Sequence, residues 1–161
     1  MNAISNVELK RPTWQIAVIL TLGFWLSASL VLDLVIMPSL YLSGMMTQAG
    51  FATAGYAIFW NFNRIELLSA GIILTGVLAM SKTHSWRGGT VILAVLLLAV
   101  SLVNTYFLTP QMSAIGVQLN FFETATTIPA AMNMLHGGYW VLEAVKLLAA
   151  GTLLSRCWQE I

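Results

Sequence analysis

The sequence predicts an all-α integral membrane protein: a four-helix up-down-up-down bundle built from two tandem helical hairpins. Three observations predict it. Of 161 residues, 58% are hydrophobic and only 8% are charged, against roughly 25% charged in soluble domains. The mean hydropathy is +0.83. The apolar residues fall into four runs, each near the roughly 20 residues of helix that cross a hydrocarbon core of about 30 Å. Lipid leaves backbone polar groups no outside partner, and no alternating barrel pattern is present, so helices are the structure that fits.

The expected spans are about 14–42, 56–80, 90–108 and 130–155 within one membrane domain, 1–161. Span 1 follows the basic segment MNAISNVELKRPTW and has no small-residue cleavage site, so it reads as an uncleaved helix rather than a signal peptide. It is longer than one crossing, and tilt or a bend at Pro38 would accommodate it. Lys10 and Arg11 precede span 1, Lys82 and Arg87 lie between spans 2 and 3, and Arg156 follows span 4. Connections 43–55 and 109–129 hold no Lys or Arg. This asymmetry places both termini in the cytoplasm. Tyr56, Trp60 and Tyr106 then mark the outer interface, and Trp14, Trp86 and Trp158 the inner one. A bacterial plasma membrane is the expected setting, with a thylakoid or other organelle membrane as the alternative.

The hairpins echo each other. DLVIMP in span 1 (Asp33, Pro38) is matched by NTYFLTP at the end of span 3 (Asn104, Pro110). NRIE opens span 2 from Asn63, and NMLH opens span 4 from Asn133. Both halves would enter from the cytoplasm, as parallel repeats.

Depth counted from these spans puts Asp33, Asn63, Arg64, Glu66, Asn104, Asn133 and His136 together in the outer third. Intramembrane charges are costly and normally face the bundle or an aqueous cavity with a partner. Arg64 and Glu66 are two residues apart and point to different sides, so the expected pairs are Arg64 with Asp33, and Glu66 with His136 or Asn104. Glu143 and Lys146, one turn apart near mid-membrane, form a second ion pair. The spans then hold three acids (Asp33, Glu66, Glu143) against two fixed bases (Arg64, Lys146), a surplus that a proton or cation would neutralise. The alternative is architectural: interhelical hydrogen bonds, about 0.6 kcal/mol each on average, select helix partners and register.

Six of eight methionines fall towards the outer side: Met37, Met45, Met46, Met112, Met132 and Met134. Thioether with imidazole suits Cu(I), so His136, Met132 and Met134 are the candidate metal ligands, against the plainer role of methionine as a filler of apolar gaps. His136 and His84 lie on opposite sides, which argues against a shared haem. The single cysteine, Cys157, excludes an internal disulfide. The 112–129 connection mixes Phe121 and Phe122 with Glu123 and threonines, and reads as an amphipathic cap on the outer surface. No nucleophile set, phosphate loop, zinc motif or CxxC is present, so no enzyme and no cofactor is expected. A net charge of +1 gives no case for nucleic acid.

Asp33-x4-Pro38, FNRIE, Asn104-x5-Pro110 and LHGGYWVLEAVKLL together resemble the small four-helix membrane proteins of the transmembrane-protein-205-like class, also described as domain of unknown function 4149. The likeness covers about 14–155, and Asp33, Asn63, Arg64, Asn104 and His136 match that family's polar pattern. It implies the fold and no settled activity. A more distant likeness to the copper-resistance D membrane domain implies metal handling, for which this chain has few histidines. Two functions are carried forward. One is binding or passage of a small cation, proton or polar solute at the polar cluster. The other is an accessory or assembly subunit of a larger membrane complex or homo-oligomer, using small residues such as Gly71, Gly76, Gly137, Gly138, Ala144, Ala149, Ala150 and Gly151 for close helix approach.

Overall fold

The computed structural model describes residues 13–45, 48, 50–81, 88–121 and 130–159. Among them there is no strand, and four helices account for nearly all of these residues. Helix α1 is Thr13–Leu42 and α2 is Phe51–Ser81. Helix α3 runs without a break through Gly88–Val103, Asn104–Leu108 and Thr109–Phe121, and α4 is Ala130–Gln159. Three stretches, Thr13–Leu42, Phe51–Ser81 and Gly88–Gly116, are long and apolar enough to cross a membrane. The 30 residues of α1 rise about 45 Å, well beyond the hydrocarbon core.

Helix α4 falls short on composition, and the reason is where its charges point. Glu143 and Lys146 are buried against the other helices, while Trp140, Val141 and Leu148 are exposed. The two charges in the middle of α4 are thus on its inward face. Exposed polar side chains elsewhere turn back on their own helices. Ser27, Asn61, Thr75 and Thr152 donate to the carbonyls of Gly23, Ala57, Gly71 and Leu148 at 2.7–2.9 Å, which satisfies them where no water is at hand.

The helices overrun the expected spans. α2 starts at Phe51, five residues before the expected boundary. α3 continues past Leu108 and through Pro110 to Phe121, so the first part of the expected surface cap prolongs the helix; 122–129 lie outside the described residues. Lys10, Arg11, Lys82, Trp86 and Arg87, which carry most of the orientation argument, also lie outside them.

Pro38 and Pro110 are carried inside helices by the same device. A wide, π-type turn, Leu32–Ile36 in α1 and Asn104–Leu108 in α3, ends two residues before Pro38 and Pro110 respectively. The amide of Met37 reaches back to Leu32 O, and that of Thr109 to Asn104 O. Proline lacks an N–H and its ring collides with the carbonyl four residues earlier; a wider turn moves that carbonyl aside. α1 stops beyond Leu42, where Gly44 takes φ +72, a left-handed conformation that glycine adopts freely.

Buried positions recur every three or four residues on each helix, as one inward stripe demands. One end of the interior is apolar: Val18, Leu22 and Trp25 pack with Ala70, Ile73, Val77, Met80, Ala94, Leu97, Ala149, Ala150, Leu153 and Cys157. α1 and α2 approach closely at Gly76, where a Cβ would overlap Val18 Cγ2. Most of the remaining buried positions are polar.

Candidate functional site

Asp33, Asn63, Glu66, Asn104, Glu143 and Lys146 are all buried, each exposing 4% or less of its surface. Ser29, Ser69, Ser101, Thr105, Thr109 and Tyr139 line the same inward stripes. Every helix thus contributes to one buried polar seam.

Its centre is an ionic chain. Glu66 stands at the midpoint of α2, and its Oε1 accepts the Lys146 ammonium and also the Trp25 indole N–H, the latter at 2.9 Å. Lys146 Nζ also lies 2.6 Å from Glu143 Oε2. The rings of Trp25 and Phe62 lie about 6 Å from Nζ, at 5.9 and 6.0 Å, near enough for their π faces to favour the cation. The sequence foresaw the Glu143–Lys146 pair; the structure extends it to Glu66. Because α2 starts at Phe51, Glu66 lies at mid-helix, level with Lys146.

One level along the seam, Tyr139 donates its hydroxyl to Asp33 Oδ1 at 3.2 Å, and its ring meets Phe59 edge-on at 5.9 Å. Asn63 Nδ2 donates to Thr109 Oγ1 at 2.8 Å. Thr105 and Ser101 bond back to the carbonyls of Ser101 and Leu97.

Three expected members face away from the seam. Arg64 is exposed and stacks on Trp60, 4.3 Å from the ring centroid, so the expected Asp33–Arg64 pair gives way to Asp33–Tyr139. Asn133 and His136 are exposed, and His136 Nδ1 lies 2.9 Å from Met132 O on its own helix. Glu66 therefore meets neither His136 nor Asn104. Met134 is 77% exposed, and among the described residues no group of three His, Cys, Asp or Glu side chains is placed to hold a metal.

The contributions of Trp25, Tyr139 and Ser29 were not read from the sequence. Their signal was present in the period: Trp25 and Ser29 lie two turns and one turn before Asp33, and Tyr139, Glu143 and Lys146 share one helical face.

The buried charge differs from the sequence count. With Arg64 outside, the described interior holds three acids, Asp33, Glu66 and Glu143, against one base, Lys146. Uncompensated buried charge costs several kcal/mol per ion even after relaxation, so the set reaches neutrality with two added positive charges. Two surface hollows, one along Phe24–Ile36 and Ile58–Ile65, the other along Leu148–Gln159, include none of these four residues. No family model matches the chain, and no curated protein or solved structure matches it.

Proposed function

We propose that the chain is a four-span membrane protein whose buried carboxyl groups exchange protons. The four helices run up-down-up-down with both termini on the cytoplasmic side, in a fold of the transmembrane-protein-205-like kind. The antiparallel contacts Gln15–Cys157 and Asp33–Tyr139 support that course for α1 and α4. Tandem hairpins are supported by the shared π turn with proline two residues beyond it. Counted from the prolines, Asp33 corresponds to Thr105, one position beyond Asn104. The protein is non-catalytic in this reading.

The observation that carries the reading is the ratio of three buried acids to one buried base. A proton fits it better than a polar solute, because the ionisable groups already find their partners in one another and in Trp25 and Tyr139. The chain has only three other acidic residues, Glu8, Glu123 and Glu160, which makes a clean test. With those three replaced by Gln, the protein in zwitterionic liposomes should show a carboxylic C=O infrared band that grows as the pH falls from about 9 to about 5, above the range of about 3.3–3.7 in which a terminal α-carboxyl titrates. A spectrum with no such pH-dependent band would remove the proton-exchange reading.

A second reading, an accessory subunit, is favoured by Arg64. An arginine on the outer face of an apolar helix, resting only on Trp60 among the described residues, suits the carboxylate of a neighbouring membrane helix. Gly137, Ala144 and Gly151 on α4 are open to close approach, and a Cβ at either glycine would meet nothing within 4 Å. Migration of the gently solubilised, natively expressed protein alone would count against a partner.

A further inference from the structure

Five buried side-chain polar atoms have no hydrogen-bond partner among the described residues: Ser29 Oγ, Asn104 Nδ2 and Oδ1, and Glu143 Oε1 and Oε2. Glu143 does lie beside Lys146, at 2.6 Å, but that contact lacks the alignment of a hydrogen bond. Such atoms are rare in native interiors, where about 90% or more of buried polar groups are paired with protein or water. Here they belong to three residues on three helices.

Helix register brings these residues to one level. α1 and α4 are pinned by Gln15 donating to Cys157 O, and by Tyr139 donating to Asp33. Between those two contacts each helix advances 18 residues, so a step along one is matched by a reverse step along the other. Ser29, four before Asp33, is therefore level with Glu143, four after Tyr139. α3 and α4 meet where Gly116 faces Met132, Gly138 faces Leu108 and Gly89 faces Arg156. The same matching sets Asn104 opposite residues 141–144. All three side chains lie on inward stripes, exposing 1% or less.

We propose that Ser29, Asn104 and Glu143 hold internal water between α1, α3 and α4, and that Glu143 is the carboxyl that takes up the exchanged proton through it. Their donors and acceptors supply the two to four partners that a buried water requires. This rests on the proton-exchange reading and assigns its seat. The other carboxylates have definite donors: Glu66 has Trp25 and Lys146, and Asp33 has Tyr139. In the step, a protonated water gives its proton to a Glu143 oxygen. One O–H bond breaks, another forms, neutral water remains, and Lys146 keeps its proton. The ionisable groups around Glu143 are Asp33 on α1, Glu66 on α2, and Tyr139 and Lys146 on α4; α3 brings no charged side chain.

The test is the infrared pH-difference experiment in the Glu8→Gln, Glu123→Gln, Glu160→Gln background. The carboxylic band should disappear in Glu143→Gln, shift in Glu143→Asp, and persist in Glu66→Gln and Asp33→Asn. Asn104→Leu and Ser29→Ala should shift it, and should remove deuterium-sensitive water O–H bands that change with it. Circular dichroism identifies any variant that has not folded, and Glu143→Asp then decides by the position of its band. A band unmoved by both Glu143 changes, yet lost in Glu66→Gln or Asp33→Asn, would overturn the assignment while proton exchange stands. No band in the background protein would overturn both.

Discussion

Trp25 donates its indole N–H to Glu66 Oε1 at 2.9 Å, tying the middle of α1 to the middle of α2. The same oxygen receives Lys146 from α4, so one carboxylate joins three helices. An acceptor that keeps its charge partner but loses a buried donor should show the loss as stability. Trp25→Phe preserves most of the ring packing against Leu22 and Ile73. It should lower unfolding stability by about 1.5–3 kcal/mol, the range for hydrogen bonds to charged groups. Thermal unfolding in one fixed detergent measures it; an unchanged midpoint would mean the indole N–H contributes nothing.

Lys146 is the one base among three buried acids in the described interior. Removing it as Lys146→Met strands Glu66 and Glu143 together. Breaking a buried pair by deleting one partner typically costs about 3–5 kcal/mol, and here two partners are stranded. Lys146→Met should fail to accumulate as folded protein. Adding Glu66→Gln and Glu143→Gln should restore it, because the interior is then free of the stranded charges. Yield and monodispersity on size exclusion report both outcomes, and a single variant as well behaved as the parent would refute the ionic chain.

Much of this arrangement is legible in the residues. Asp33, Asn63, Glu66, Asn104, Glu143 and Lys146 are polar groups in apolar runs, and lipid drives such groups inward. The pairing is less legible, because pairing depends on register and register depends on helix ends. The Ala52-Thr53-Ala54-Gly55 stretch before Tyr56 is weakly hydropathic, so α2 reads from the sequence as starting five residues late. Five residues are about 7.5 Å, more than a turn, enough to set Glu66 beside His136 rather than Lys146. His136 was misplaced by rotation instead. The inward row of α4 runs through Tyr139, Glu143 and Lys146, and His136 falls just off it. No composition rule carries that distinction. Nor does any rule foresee that π turns would take Pro38 and Pro110 inside helices, although proline shortly after a polar residue is a visible cue in both.

Arg64 provides a test that separates the two functional readings. Its contact with the Trp60 face is exposed, and such cation–π contacts contribute about 0.5–1 kcal/mol. Arg64→Ala should therefore leave the purified protein within about 1 kcal/mol of the parent and leave the infrared band in place. If Arg64 meets a carboxylate on a partner helix, the same change should reduce the mass of the natively extracted particle. Blue-native electrophoresis compares the two. An unaltered particle would show that Arg64 holds no partner.

Gly76 tests how closely α1 and α2 must approach for the seam to form. A Cβ at this position would overlap Val18 Cγ2 and lie 3.5 Å from the Trp14 ring. Val18 is completely buried and Gly76 lies against it, so the Val18 side chain has no room to turn away. Inserting atoms into a packed core costs about 1–3 kcal/mol, and Gly76→Ala should destabilise the protein by that amount. Val18→Ala alone should also destabilise, since it opens a gap. Combined, the two changes should be milder than their sum, because the methyl added at Gly76 occupies space vacated at Val18. Strict additivity in thermal unfolding would mean that the two residues do not touch, and that some other contact sets the approach of the helices carrying Trp25 and Glu66.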